Sequence, residues 1–310
     1  MNPMNEDELL STPEGPGLSA DRRQQLRGHL MSEFARGPVA APRRIRLGWV
    51  ALPALAGGLA LSLVLVGGGQ PSPSTESSGT VAAVVLDRAA EAAEQQPAPA
   101  ARGDQFIYVK SLEKWREAGG EVSRTREDWL SVDGSKRELL LIDGHVPNPG
   151  GSDEHGEAEP VPNAGRIGSY AYVAALPTDP DALLAKIHAD TAGHGSSPEA
   201  EAFETVGELL MLQIAPPAVS AALYRAAAKI PGVTVIDSVT DAAGRPGIAV
   251  ARRDSGGKAE AQWIFDRTDY TFLGERGVAV TDGATFKKGD VTGQNTILAR
   301  AVVDQPGTRP

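Results

Sequence analysis

The chain has no cysteine among its 310 residues. That absence excludes a disulfide framework, a thiolate zinc site, an iron–sulfur cluster, a thiol nucleophile and a lipidated N-terminal cysteine, so the fold must be held by packing alone. Aromatics are scarce, at 6 Phe, 5 Tyr and 4 Trp. Positive charge is outnumbered, with 30 Lys and Arg against 40 Asp and Glu. The resulting net charge of −10 argues against non-specific nucleic-acid binding, which needs a basic surface to release phosphate counterions. Recognisable catalytic motifs are also missing. The sequence holds no G-x-S-x-G elbow, no H-E-x-x-H, no G-x-x-x-x-G-K-[ST] and no G-x-G-x-x-G after a strand, which removes the common hydrolase, zincin and nucleotide-binding classes. What is present is enough apolar residue for one core, 41% of the chain, with 35 Gly and 23 Pro.

One run stands out. Residues 47–66 read LGWVALPALAGGLALSLVLV, free of charge, and at about 1.5 Å per residue they would cross roughly 30 Å of hydrocarbon. The run is apolar all round, unlike an amphipathic core helix, and it starts too far from the N-terminus for an ordinary signal peptide. A transmembrane helix is therefore expected there, with the membrane itself as a partner. Arg43, Arg44 and Arg46 precede it and Trp49 sits at its boundary, where an aromatic belt is expected, so these four residues are read as the topology determinants. The N-terminus is then cytoplasmic and everything after the span extracytoplasmic, in a single-pass arrangement at the cell membrane. The charge divides accordingly: residues 1–46 carry 7 Arg against 6 Asp and Glu, so all the net acidity lies on the outer side.

Within the tail, Leu26, Leu30 and Phe34 recur at i, i+4 and i+8, predicting one short amphipathic helix over residues 20–35. It reads either as a juxtamembrane helix resting on the inner leaflet or as a docking helix for a cytoplasmic partner. Residues 67–104 read as a linker, a flexible tether followed by an Ala-rich helix over 80–96 with Val81, Val84, Val85 and Ala89 on one side. Residues 105–304 read as the folded domain and 305–310 as a flexible end.

The domain opens with strand patterns, QFIYVKSLE and then REDWLSVDGSKRELLLID as two strands around an Asp133-Gly134 turn. A loop rich in Gly, Pro and acid follows. Three helix patterns come next: one capped by Thr178 or Asp179 with Leu183, Leu184 and Ile187 facing inward, one capped by Ser197 with Pro198 at N1, and one with Val219, Leu223, Ala226 and Ile230 on one stripe. After Pro231-Gly232 the period falls to two, in VTVIDSV, GIAVARR, AEAQWIFDR and DYTFLGERGVAV. Their short connections predict an antiparallel meander. The fold class expected is α+β: a curved antiparallel sheet with a layer of about three helices on one face.

The order of these features, with the segments FIYVKS, WLSVDGS, LPTDPDALLAKI, ALYRAAAKIPGV and GRPGIAVAR, resembles an uncharacterised family of actinobacterial single-pass membrane proteins, often described near extracytoplasmic-function sigma factors. The resemblance implies envelope signalling. The domain pattern also resembles, at the level of fold, the half-barrel of periplasmic lipoprotein carriers and of sigma-factor regulators of the same shape.

Two histidine groups offer side chains of metal-ligating type. His145, Asp153, Glu154, His155, Glu157 and Glu159 share one Gly and Pro-rich loop, and binding would have to order it; His188, Asp190 and His194 surround a helix end, where a histidine suits the C-terminal dipole. Both are read as structural, so no metal, cofactor or catalytic residue is expected. Phe106, Tyr108, Trp129, Tyr170, Tyr172, Trp263, Phe265, Tyr270 and Phe272 fall on predicted strands and are read as core, with the alternative that several line a concave apolar site. The function expected is a membrane-anchored extracytoplasmic binding domain in envelope sensing or regulation, its partner an envelope protein or a lipid. The alternatives are a tethered carrier or scaffold for a lipid or lipoprotein, and a hydrolase of no recognisable motif.

Overall fold

A computed structural model of the chain describes residues 75–97, 101–117, 120–146, 168–195, 197–254, 256–283 and 285–310. The expected span at 47–66, its four determinants Arg43, Arg44, Arg46 and Trp49, the helix at 20–35 and the loop holding His155 lie outside these residues. Among the described residues no helix is long and apolar enough to cross a membrane.

The elements run α1 (Thr75–Glu94), β1 (Phe106–Glu117), β2 (Gly120–Ser131), β3 (Leu139–Ile142), α2 (Tyr170–Ala174), α3 (Pro180–Asp190), α4 (Pro198–Leu212), α5 (Pro217–Ala227), β4 (Val233–Thr240), β5 (Pro246–Arg253), β6 (Ala259–Asp266), β7 (Phe272–Ala279) and β8 (Val291–Val303). The strands form one eight-stranded sheet in the order β3-β2-β1-β8-β7-β6-β5-β4. Every pairing is antiparallel. The expected α+β class and the C-terminal meander are therefore present, and β8 closes the meander onto the N-terminal hairpin by pairing with β1.

Local chemistry starts the helices where the sequence marks them. Asp179 accepts a hydrogen bond from the Ala182 amide at 2.9 Å and Ser197 from the Ala200 amide at 3.1 Å, each with a proline just inside the helix. The stripe Val219, Leu223, Ala226 and Ile230 is buried throughout.

Three expectations need correction. The linker helix is part of the core: α1 buries Ala82, Val85, Leu86, Ala89 and Ala90 in the same cluster as α3, α4 and α5, while Val81 and Val84 are exposed. The buried stripe is thus rotated from the expected one, and small alanines let α1 lie close against α5, where Arg225 reaches Asp87 at 3.2 Å and Glu94 at 2.5 Å. The helical layer is accordingly larger than three. Tyr170 and Tyr172 are helical, because Ser169 caps α2 by accepting from the Tyr172 amide at 3.1 Å. The Asp133-Gly134 turn is a longer loop, in which the Asp133 carboxylate accepts from the Ser135 amide at 2.9 Å and hydroxyl at 2.6 Å.

The sheet has two apolar faces. Val250, Trp263, Phe265, Phe272 and Ile297 face the helices, whereas Val239, Ala249, Ile264 and Leu273 on one side and Phe106, Tyr108, Trp129 and Val303 on the other form clusters on the outer face. Two segments extend over that outer face. In the β4–β5 turn the buried Asp241 pairs with Arg245 at 2.6 Å, Arg245 donates to the Ile297 carbonyl at 2.9 Å, and the Ala242 amide donates to Thr296 Oγ1 at 3.1 Å. The C-terminal residues cover the other cluster.

Candidate functional site

Beneath the helices the aromatic side chains pack on one another. Phe203 of α4 stacks on Trp263 of β6 with ring centroids 3.9 Å apart and planes 5° from parallel. Phe265 meets Tyr224 at 5.6 Å and Phe272 at 5.7 Å, both edge-on. Gly207 sits over the same indole: a Cβ there would fall 2.7 Å from Trp263 Nε1, so only glycine lets α4 approach this closely. Trp263 and Phe265 share a face as strand alternation requires, and Phe106 and Tyr108 share the opposite one.

A cavity lies where the end of α1, the C-terminus of α4, the N-terminus of α5 and the start of β7 converge. It holds about 110 Å³ and is bordered by Gln213, Ser220, Tyr224, Tyr270, Phe272 and Arg300. Arg300 is its one cationic lining group, and it comes from β8 just after an irregularity. The β1–β8 register shifts between Lys110 and Ser111, which skips Leu298 and turns Arg300 toward the helices. Its guanidinium donates to the carbonyls of Leu210, of Met211 at 3.2 Å and of Gln213 at 3.4 Å, groups that α4 leaves without helical partners. It also lies 6.0 Å from the Phe272 ring. No carboxylate among the described residues pairs with it, and burial pushes its pKa down to about 10. Arg300 Nε and Gln213 Oε1 have no hydrogen-bond partner among the described residues, while Gln213 Nε2 donates to the Gly168 carbonyl at 2.7 Å.

This arrangement makes Arg300 a helix cap delivered from a strand. The charge is neutralised by carbonyl dipoles at a helix C-terminus, where a cation is favoured. Arg300→Met should therefore lower stability by roughly 2 kcal/mol, the scale of hydrogen bonds to a charged group, as measured by denaturant unfolding. A variant as stable as the parent would show that Arg300 is not a cap and is free for other use.

Among the described residues, the candidate metal ligands do not converge. His145 is exposed beside β3, and its loop companions lie outside the described residues. Asp190 is occupied by Lys186 at 2.9 Å and by the Tyr172 hydroxyl at 2.8 Å, and burial together with this hydrogen bond raises the Tyr172 phenol. Among the described residues no group of three or more His, Asp or Glu could hold a metal ion.

A second polar assembly, which the sequence reading did not single out, lies on the outer face. Cross-strand pairing sets Tyr108 opposite Trp129 and Lys110 opposite Glu127. Tyr108 donates to Glu127 at 2.6 Å, and Arg309 clasps both Glu127 oxygens at 2.7 and 2.8 Å. The Arg309 fork, opposed by burial, pulls the Glu127 carboxyl down to about 2, and burial with the Glu127 bond lifts the Tyr108 phenol to about 12. Sequence carried one signal for it, the Pro306-Gly307 dipeptide that announces a turn.

No protein-family model matches the chain, and no curated protein does. Among solved structures it is similar to the MucA/MucB complex of Pseudomonas aeruginosa, with a TM-score of 0.26 and 14% identity over 74% of this chain and 58% of that one. A structure of MucB gives 0.24 and 13%, over 74% and 60%. A domain described as an outer membrane lipoprotein-sorting protein from Vibrio parahaemolyticus gives 0.23 and 8%, over 76% and 95%. The match thus spans under two thirds of the MucB chains.

Proposed function

We propose that this is a membrane-anchored domain of the cell envelope that acts by binding a protein, in sensing or regulation, rather than by catalysis or by carrying a lipid. The observation that carries the reading is the aromatic packing: stacked rings occupy the space beneath the helices, and the cavity beside them holds about 110 Å³, against roughly 300–1,000 Å³ for sites that enclose a small molecule. An acyl chain would have to displace Phe203 or Trp263. The outer face, by contrast, already holds a chain segment against buried polar and aromatic groups.

Two measurements test this. A reporter enzyme active only outside the cytoplasm should work when fused after Pro310 and fail when fused after Ala40; the reverse pattern overturns the orientation. Native mass spectrometry of the detergent-purified chain should show the bare mass. A stoichiometric lipid kept through delipidation would favour the carrier.

A further inference from the structure

The chain's last residues are held as a ligand is held. β8 ends at Val303, and the exposed Asp304 is pinned by Gln105 at 2.8 Å and Arg102 at 3.1 Å. Gln305-Pro306-Gly307-Thr308 then reverses direction: the Thr308 amide donates to the Gln305 carbonyl at 3.3 Å, and Gly307 takes φ +86°, the signature of a type II turn with proline and glycine in its two central positions. The reversed strand end lies on the outer face. Trp129 Nε1 donates to the Thr308 carbonyl at 2.6 Å, and Arg309 next to it forks onto Glu127 with its guanidinium 5.7 Å from the Trp129 ring.

The two sides of this contact differ in burial. Trp129, Tyr108 and Glu127 are 0%, 1% and 4% exposed, while the Arg309 side chain is 51% exposed and residues 304–310 all lie on the surface. A buried floor thus meets a shallow occupant. Glu127 is also held from beneath by Tyr108 at 2.6 Å, with Lys110 at 3.9 Å too far for a strong hydrogen bond, so the carboxylate has one partner within the sheet besides Arg309. The floor reads two features one residue apart: a main-chain carbonyl, and then a planar cation that matches a carboxylate in two-point fashion and rests on an indole. Lysine meets neither requirement in the same way.

We infer that the Tyr108–Glu127–Trp129 floor is an arginine-reading docking site for an extended segment of a protein partner, and that residues 305–310 occupy it in cis as a detachable latch. This rests on the reading of the domain as a protein binder and names the chemistry of the segment it takes. Because the tether raises the local concentration of the latch to the millimolar range, a free segment competes poorly until the latch is weakened.

The test uses a fluorescent peptide of residues 304–310, Asp-Gln-Pro-Gly-Thr-Arg-Pro, read by anisotropy against the full-length chain in detergent. Arg309→Ala, and separately a chain stopped after Asp304, should each bind it at least tenfold more tightly than the parent. A peptide with lysine for arginine should bind at least tenfold more weakly, and Glu127→Gln in the shortened chain should abolish binding. Arg309→Ala alters only a surface side chain, and its unfolding curve shows that it is folded. Equal binding by the parent and both variants, or by an alanine-substituted peptide, would overturn the inference. Such a result would leave the lipid-retention measurement, and with it the broader reading, unaffected.

Discussion

Trp263→Ala should cost about 3–5 kcal/mol, the range for removing a fully buried large aromatic, and lower the melting temperature by roughly 6–20 °C for a domain of this size. Trp263 is 1% exposed, stacked on Phe203 and overlaid by Gly207, so its removal opens a void that helix α4 cannot simply fill. Thermal unfolding measures the effect. The size of the loss also discriminates between functions. An aromatic that lined a ligand cavity would already face empty space on one side and would be missed less, whereas one locked into a close-packed layer loses every contact at once. A loss below about 1 kcal/mol would therefore reopen the carrier reading.

Legibility in the sequence followed the strength of local signals. Asp179, Ser197 and their following prolines mark two helix starts because capping chemistry is confined to four residues, and the Val219–Ile230 stripe is long enough for its period to declare itself. The meander from β4 to β7 was legible for a related reason: its connections are short, and each strand keeps its alternation over the residues that matter. Elsewhere tertiary context overrode pattern. Strand β8 carries Gly293, Gln294 and Asn295, poor strand formers, then a skipped Leu298 that breaks alternation, and then a charged Arg300 at an inward position. No single-strand template fits it, although it joins the two halves of the sheet. α2 is five residues long, too short for a 3.6 period to be told from a period of two, and the Ser169 cap decides its state. α1 reads as a linker because alanine contributes little hydrophobicity; its burial depends on the close surfaces that α5 and β4 provide.

The polar sites show the same division. Arg300 is a cap whose recipient helix lies about 90 residues away in sequence, and Glu127 meets Arg309 182 residues away, so neither contact has a local signature. What the sequence offered was the residue types alone. The absence of cysteine takes on a sharper meaning here: strands β1 and β8, drawn from opposite ends of the domain, are joined by a long ladder of main-chain hydrogen bonds, and the C-terminal residues are fastened by a charge-assisted fork. Covalent staples have no task left in that part of the fold.

The same fork makes stability depend on acidity with a sign that can be worked out. The Glu127 carboxyl titrates near 4.5 when unpaired and at about 2 in the fold, chiefly because Arg309 hydrogen-bonds its ionised form. A depressed folded value means that the fork's stabilisation is fully present above the unfolded value and is lost as pH falls from about 4.5 toward 2. Taken whole the shift corresponds to about 3 kcal/mol, and solvent screening at the half-exposed Arg309 reduces it to roughly 2. Glu127→Gln should therefore be less stable than the parent by roughly 2 kcal/mol at pH 7, with the gap closing as both are titrated to pH 2 in denaturant unfolding. Tyr108 limits the other end. Its phenol, raised to about 12 by burial and by the hydrogen bond it gives Glu127, contributes stability below pH 10 that is lost as pH climbs through 12. Tyr108→Phe should remove that alkaline loss while leaving most of the acid-side gap, since Arg309 is the larger cause of the Glu127 shift. A gap between parent and Glu127→Gln that stayed constant from pH 7 to pH 2 would show that the carboxylate's charge is not what holds the C-terminal residues to the sheet.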